Sequence, residues 1–370
     1  MAPRLLVLRN SLLISVLLLS VAVVCSAQTL PERLATSKEI QDMLVQRIDV
    51  QHKNVGIVVG VINKRGREII AYGHFDASDP RVPDGDTVFE IGSISKVFTS
   101  LLLADMVLKG EVKLDDPISK YLPASVHAPT RNGKQITLLD LATHYSGLPR
   151  MPNSWNWDYS PEQMFEFLNH YELTRDPGQK YEYSNLAVGL LGQLLALRAG
   201  TDYETLLRTR VTDPLQMHST AVHLTPEMKT NFTPGHGTGL KIAHPWEIPA
   251  LAPAGGIRST ANDLLIFLAA NMGIIRTPLE PAMKKMLSVH RPVSPGVQIA
   301  LGWHIQNGVI CHNGQTNGYN TFMGYDPRRK VGVVVLSNAN QSIDDIGWRT
   351  FRFPAPGLTE QQTDIPNLHP

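Results

Sequence analysis

Residues 89–106 read FEIGSISKVFTSLLLADM, and one residue in that stretch sits oddly. From Val97 onward the apolar residues Val97, Phe98, Leu101, Leu102 and Met106 recur at the three-and-four spacing of a helix with a buried face. The first turn of such a helix carries free N–H groups and the positive end of the helix dipole, so it favours acids. Lys96 stands there instead. Ser93 precedes it by three, so in a helix that opens at Ser93 the two side chains share a face. The dipole stabilises negative charge developing on the hydroxyl, and a lysine held in a buried position loses pKa and can take the hydroxyl proton. A lone Ser-x-x-Lys is more often a capping serine followed by a surface lysine. Here the core helix behind it and Ile91-Gly92 ahead of it argue for nucleophile and base. Ser95 is a competing hydroxyl, but it adjoins Lys96 and points elsewhere.

Upstream, a first helix is predicted over 37–49. It is followed by VGIVVGVINKRGREIIAYG (55–73), two β-rich runs joined at Asn63-Lys64-Arg65-Gly66 as a hairpin. Between 114 and 290 the text is mostly helical: ITLLDLATH, SPEQMFEFLNHY, NLAVGLLGQLLALRAG and TANDLLIFLAANM each carry helical periodicity, with Ser160 before Pro161 a good cap. Strands return in QIALGWHIQ, GVICHNG, YNTFMGYD and KVGVVVLSN, the last two joined by Asp326-Pro327-Arg328-Arg329-Lys330. The expected fold class is therefore α/β (α+β): one antiparallel sheet built from both termini and flanked by helices, with an inserted, mainly helical lobe. One domain is expected over 28–345, with 28–113 and 291–345 forming the sheet lobe and 114–290 the helical lobe. A cleft between the lobes is the natural place for a site. From 346 to 370 the sequence is unpatterned, with at most a short helix over 342–349, and is expected to be a disordered tail.

The first 27 residues read as a secretory signal: Arg4 and Arg9 form a basic start, 11–24 is apolar, and Cys25-Ser26-Ala27 is a small-residue cleavage site. Export to the periplasm or medium is expected, with an uncleaved anchor as the alternative; the apolar run is short and poorly flanked for a transmembrane span. Cleavage would remove two arginines and no acid, leaving one more acid than base, so nothing points to nucleic acid or an anionic membrane. Of the 2 cysteines only Cys311 would remain. The exported chain would then have no internal disulfide and no cysteine-ligated zinc. A monomer acting on a small molecule is expected.

Two further stretches carry candidate chemistry. In PGQKYEYSNLAVGLLG (177–192), Tyr183 and Asn185 are two apart, so in an extended loop both face one ligand. Ser184 or Asn185 could cap the following helix, and a packed tyrosine beside a cap is the plainer reading. In CHNGQTNGYN (311–320), Gly314 and Gly318 suit a strand that another backbone or a ligand approaches closely, and His312 alone would more often be structural. No Gly-x-Ser-x-Gly elbow, His-Glu-x-x-His or Walker loop is present. GHGTG (235–239) reads as a loop. SWNWDYSP (154–161) reads as a cleft-side loop or simple packing.

Ser93-Ile94-Ser95-Lys96, Tyr183-Ser184-Asn185 and His312-Asn313-Gly314, in that order and with those gaps, resemble the three motifs of the serine β-lactamase and penicillin-binding protein superfamily. The wording is closest to the class C β-lactamases and their DD-carboxypeptidase, D-aminopeptidase and esterase relatives. THYSGLP (143–149), PAGGIRSTANDLLIF (253–267) and GYDPRRKVGVVVLSN (324–338) add to the likeness, which spans about 35–345. The resemblance implies that Ser93 forms an acyl-enzyme with Lys96 as base, and that Tyr183 protonates the leaving group and helps activate the deacylating water. Asn185 would orient the substrate amide, His312, Asn313 and Gly314 would line the site, and the backbone N–H groups of Ser93 and Gln315 would form the oxyanion hole. No metal or organic cofactor is implied. Two departures bear on substrate and stability. His312 replaces the usual lysine that receives a substrate carboxylate, and the C-terminal helix is short or missing. β-Lactam hydrolysis is the leading expectation, with a D-amino-acid peptidase or esterase as alternative and a non-hydrolytic penicillin-binding sensor as a distant third.

Overall fold

The computed structural model describes residues 34–153, 156 and 158–353. The expected leader therefore lies outside the described residues, as do Ser154, Trp155 and Trp157 of the aromatic stretch. β1 (Gly56–Asn63) and β2 (Gly66–Gly73) form the predicted hairpin, with Asn63 opposite Gly66 and Lys64-Arg65 as the turn. β3 (Val88–Glu90) comes next, then the short ribbon of β4 (Thr130–Arg131) and β5 (Lys134–Gln135), then β6 (Arg258–Thr260), which pairs with β3. The remaining strands are β7 (Arg291–Ser294), β8 (Val297–Ile299), β9 (His304–Gln306), β10 (Val309–Gln315), β11 (Asn320–Asp326) and β12 (Val331–Ser337). They complete an antiparallel sheet of order β2-β1-β12-β11-β10-β9-β8-β7, with Ile57 opposite Ser337 and Ile62 opposite Gly332. Placing β1 beside β12 is what makes one sheet from both termini.

β1 and β12 are buried on both faces, which is why they read as continuous apolar runs rather than as alternations. Val58, Val334 and Leu336 join the large core shared with the helical lobe. Their neighbours Ile57, Val59, Val333 and Val335 point the other way, into a smaller core under the terminal helices. QIALGWHIQ is not one strand but two. It reverses between β8 and β9, where Ala300 N–H donates to Trp303 O at 2.7 Å and Gly302 takes φ +71, with Ser100 Oγ 2.6 Å from where a Cβ would stand.

Helix ends follow local chemistry. Thr36, Thr137 and Ser160 each make a reciprocal capping box at the start of Ser37–Val45, Leu138–Ala142 and Pro161–His170. The first helix continues as a π turn over Gln46–Val50, reaching the predicted end. The helix Ser95–Leu108 differs from expectation in degree: every residue from Ser95 to Met106 is buried, not one stripe. It packs against Ala252–Gly255, Asn185–Ala199 and Glu280–Met286, and a helix enclosed on all sides is apolar all round.

The tail is the main correction. A helix forms over Asp344–Thr350, and order continues past residue 345, because Trp348 and Phe351 bury their rings 5.7 Å and 6.4 Å from that of Phe322. Ala35 N–H donates to Thr350 O at 3.0 Å, and Arg352 pairs with Glu39 at 2.6 Å, so the two ends of the domain are tied together. Residues 354–370 lie outside the described residues. Among the described residues no helix is long and apolar enough to cross a membrane.

Candidate active site

β3 delivers Glu90, after which the chain turns through Ile91 into a 3-10 turn, Gly92–Ile94, that leads directly into the helix Ser95–Leu108. Gly92 has φ +52, and a Cβ there would stand 2.7 Å from Gln315 N. A Cβ on Gly314 would stand 2.1 Å from Ile91 O. A glycine on each side therefore lets the turn and β10 touch backbone to backbone. Thr321 Oγ1 donates to Ile91 O at 2.9 Å and fixes that contact. Ser95 Oγ donates to Gly92 O at 2.7 Å and accepts from Ile257 N–H at 3.1 Å, so it braces the turn and is no rival nucleophile.

Lys96 is buried, with Nζ 2.9 Å from Ser93 Oγ and 2.6 Å from Ala254 O. Burial, followed by the positive charge of Arg150, pushes its pKa well below the ordinary lysine value. The amine can donate one proton to Ala254 O and turn its lone pair to the Ser93 hydroxyl. Tyr183 lies with its ring centre 4.8 Å from Lys96 Nζ. Burial pushes its phenol up to about 12, against the opposing effect of Ser93, so it stays protonated. The pair is thus poised with the lysine to take a proton and the tyrosine to give one.

Between Tyr183 and Asn185, Ser184 is the cap: its Oγ accepts from Ala187 N–H at 2.9 Å and donates to Pro149 O at 2.6 Å. Asn185 is the first residue of the helix Asn185–Ala199, half-buried, with Nδ2 3.4 Å from Met151 Sδ.

The third stretch divides by strand parity. His312 is buried on the site's side of β10, its ring 6.5 Å from that of Tyr183. Its Nδ1 lies 2.6 Å from Asn313 O. A carbonyl only accepts, so Nδ1 carries the hydrogen and Nε2, buried and without a hydrogen-bond partner, is a bare acceptor. Burial, then His304 and Lys96, push the His312 pKa well below the usual histidine value. The imidazole is neutral and offers no cation. Asn313 points to the opposite face, where Nδ2 donates to Asp344 Oδ2 at 2.8 Å, so its side chain ties β10 to the C-terminal helix. Thr316 N–H donates back into the β10–β11 hairpin, to Tyr319 O at 3.0 Å. By alternation the Gln315 N–H faces the other edge, which β9 leaves open beyond Cys311 and where the Gly92 turn lies.

Several residues at this centre were not singled out from the sequence. The His144 ring lies 4.4 Å from that of Tyr183 and its Nδ1 accepts from Ser184 N–H at 3.1 Å. His304 lies 5.1 Å from His312, with Tyr181 Oη 3.3 Å from its Nε2. Arg150 places Cζ 5.1 Å from the Tyr183 ring centre, and its carbonyl accepts from Asn185 N–H at 2.9 Å and Leu186 N–H at 3.3 Å. Their signal was present only as wording: His144 lies within THYSGLP, and Arg150 directly follows it.

A family model described as Beta-lactamase matches residues 39–352. The chain belongs to the Beta-lactamase family. With that membership it is an enzyme, a hydrolase. Among its relatives in the family, the Beta-lactamase of Escherichia coli (strain K12) is 27% identical over 85% of this chain and 92% of that protein. The D-alanyl-D-alanine-carboxypeptidase/endopeptidase AmpH of the same organism is 29% identical over 89% and 91%. A solved class C beta-lactamase superposes with a TM-score of 0.77 at 24% identity, covering 85% of this chain and 94% of that one. A Beta-Lactamase/D-Alanine Carboxypeptidase from Pseudomonas syringae does so at 0.77 and 21%, covering 87% and 100%. These likenesses carry the family's fold.

Proposed function

We propose that the protein is an exported serine hydrolase that forms an acyl-enzyme on Ser93 and opens β-lactam amides. The observation that carries this reading is the 2.9 Å contact between Ser93 Oγ and a Lys96 amine that burial favours in its neutral form. Ser93 Oγ attacks the carbonyl carbon while its proton passes to Lys96 Nζ. The oxyanion lies between the backbone N–H groups of Ser93 and Gln315. Tyr183 gives its proton to the departing nitrogen and is reprotonated from Lys96. In deacylation water attacks the ester carbonyl, its proton passing to the Tyr183–Lys96 pair, and Ser93 recovers its own. Asn185 orients the substrate amide. Every proton in this cycle has a donor and an acceptor among these side chains, so no metal or organic cofactor is called for. Export is supported by Arg4, Arg9 and the apolar run that follows.

A second reading, a D-amino-acid peptidase or esterase, is favoured by the neutral His312, which holds a substrate carboxylate less well than a lysine. The name of the AmpH relative points the same way. The test is turnover of a chromogenic cephalosporin, a short nitrophenyl ester and a D-alanyl peptide by the wild type and by Ser93→Ala. The β-lactam reading expects cephalosporin turnover well above the other two. Ester or peptide turnover with a stalled cephalosporin adduct gives the second reading. Covalent labelling that survives Ser93→Ala refutes Ser93 as nucleophile.

A further inference from the structure

We propose that His144 is a positioning residue that holds the Tyr183 phenol beside Lys96, and that the enzyme needs it for substrates whose leaving group must take up a proton; this rests on the acyl-enzyme reading above. Three observations carry it. The first is where the residue stands. The helix Leu138–Ala142, with its cap Thr143, ends in a Schellman turn: Tyr145 N–H donates to Asp140 O at 2.8 Å and His144 N–H to Leu141 O at 3.5 Å. The residue at that turn is left-handed, and His144 has φ +61. Glycine is its ordinary occupant, because a Cβ is strained there. A buried imidazole kept at a glycine's position points to work done by its ring. The second is its grip on the Tyr183 segment. The His144 carbonyl accepts Glu182 N–H at 2.8 Å and its Nδ1 accepts Ser184 N–H at 3.1 Å, so the backbone is tied to one residue on both sides of Tyr183. The imidazole also lies 4.4 Å from the Tyr183 ring, tilted by 32°, and 5.8 Å from the Tyr181 ring, edge on at 85°. The third is its proton. An Nδ1 that accepts is bare, so the hydrogen sits on Nε2, and protonating Nδ1 would release Ser184. Burial, then Lys96, hold the His144 pKa well below the usual histidine value and so preserve the acceptor.

Ser93 and Lys96 are held by the Gly92 turn and the helix behind it, and Lys96 by Ala254 O, none of which involves His144. Loss of the imidazole therefore loosens Tyr183 and leaves nucleophile and base in place. Attack by Ser93 needs only Lys96. An amide nitrogen must also gain a proton from Tyr183 as its bond to the acyl carbon breaks, whereas nitrophenolate departs as a stable anion. The quantity to read is the difference between the two leaving groups.

The experiment measures acylation by a fluorescent penicillin and by nitrophenyl acetate in wild type, His144→Gly and His144→Asn. Both are read as rate constants, to which unfolded molecules do not contribute. Glycine suits the turn and keeps the carbonyl but removes the ring, while asparagine tolerates the turn and sets Oδ1 about where Nδ1 stands. In His144→Gly acylation by the penicillin should slow by about tenfold to a hundredfold, the cost of a misplaced proton donor. Acylation by the ester should stay within about threefold of wild type, because its leaving group needs no proton. His144→Asn should recover most of the penicillin rate. Equal slowing on both probes overturns the proposal, since His144 would then serve packing alone, and so does slowing on neither. A penicillin rate in His144→Asn no better than in His144→Gly overturns it as well, because the Nδ1 acceptor would carry no part. Acylation of Ser93→Ala by both probes, in contrast, would sink the acyl-enzyme reading itself.

Discussion

Gly92 carries no functional group, yet the placement of Ser93 depends on it. Only a residue without a Cβ holds φ +52 while its Cα stands against the backbone of Gln315. Gly92→Ala should cost about 1–2 kcal/mol for the left-handed backbone, with more for the displaced strand. It should also slow acylation by about a hundredfold or more by moving one oxyanion donor. A thermal melt with the labelling rate of a β-lactam probe checks both, and wild-type labelling in a folded variant would show that the turn does not set that donor. At this scale the pairing of Ser93 and Lys96 was legible, because a cation in a helix's first turn is a local anomaly, whereas Tyr183 read more plainly as a packed tyrosine and entered through the likeness of its motif. Asn313 was misplaced for an equally local reason. Its neighbours His312 and Gly314 face the site, and strand parity sends the residue between them to the other side.

At the scale of elements, the C-terminal helix is joined to the strand of the third motif through a buried carboxylate. Asp344 Oδ2 accepts from Asn313, Oδ1 has no partner, and burial raises the pKa from 3.8 to about 6. The folded protein thus holds this proton more tightly than the unfolded chain. The resulting stability is fully present below about pH 4 and is lost as pH rises through about 6, a difference of roughly 3 kcal/mol for two units of pKa. Asp344→Asn keeps an oxygen for Asn313 and removes the charge. Its melting temperature should exceed wild type at pH 7.5 and match it near pH 4, to about a degree or two. Equal melting temperatures at both pH values would mean that Asp344 is solvated. The helix was hard to see in the sequence because it is short and contains Gly347, so propensity is weak and Trp348 and Phe351 supply its stability by burial. The break in QIALGWHIQ was equally hidden, since its apolar pattern does not record that Ala300–Trp303 must turn against the helix bearing Ser100.

For the whole molecule, the ion pair of Glu90 and Arg258 joins β3, which leads into the Gly92 turn, to β6, a strand within the helical lobe. Both side chains are under a tenth exposed, Glu90 also accepts Trp246 N–H at 2.6 Å, and Arg258 donates to the carbonyls of Val222, Gly256 and Trp246. Arg258→Met should destabilise by about 3–5 kcal/mol, because it strands a buried carboxylate, and adding Glu90→Leu should recover part of that loss. Denaturant midpoints of the two variants decide it: a double variant no more stable than the single would mean that Arg258 acts through its carbonyl contacts alone. The sequence by itself determined the sheet drawn from both ends and the inserted helices, and it singled out Ser93, Lys96 and Tyr183 as candidates, since periodicity, caps and local anomalies of charge are properties of neighbouring residues. Only the tertiary structure decided that burial lowers the pKa of Lys96 and of His312, that Arg150 lies beside Tyr183, and that the chain stays folded past residue 345. Burial, strand parity and the meeting of distant segments exist only once the chain has closed on itself.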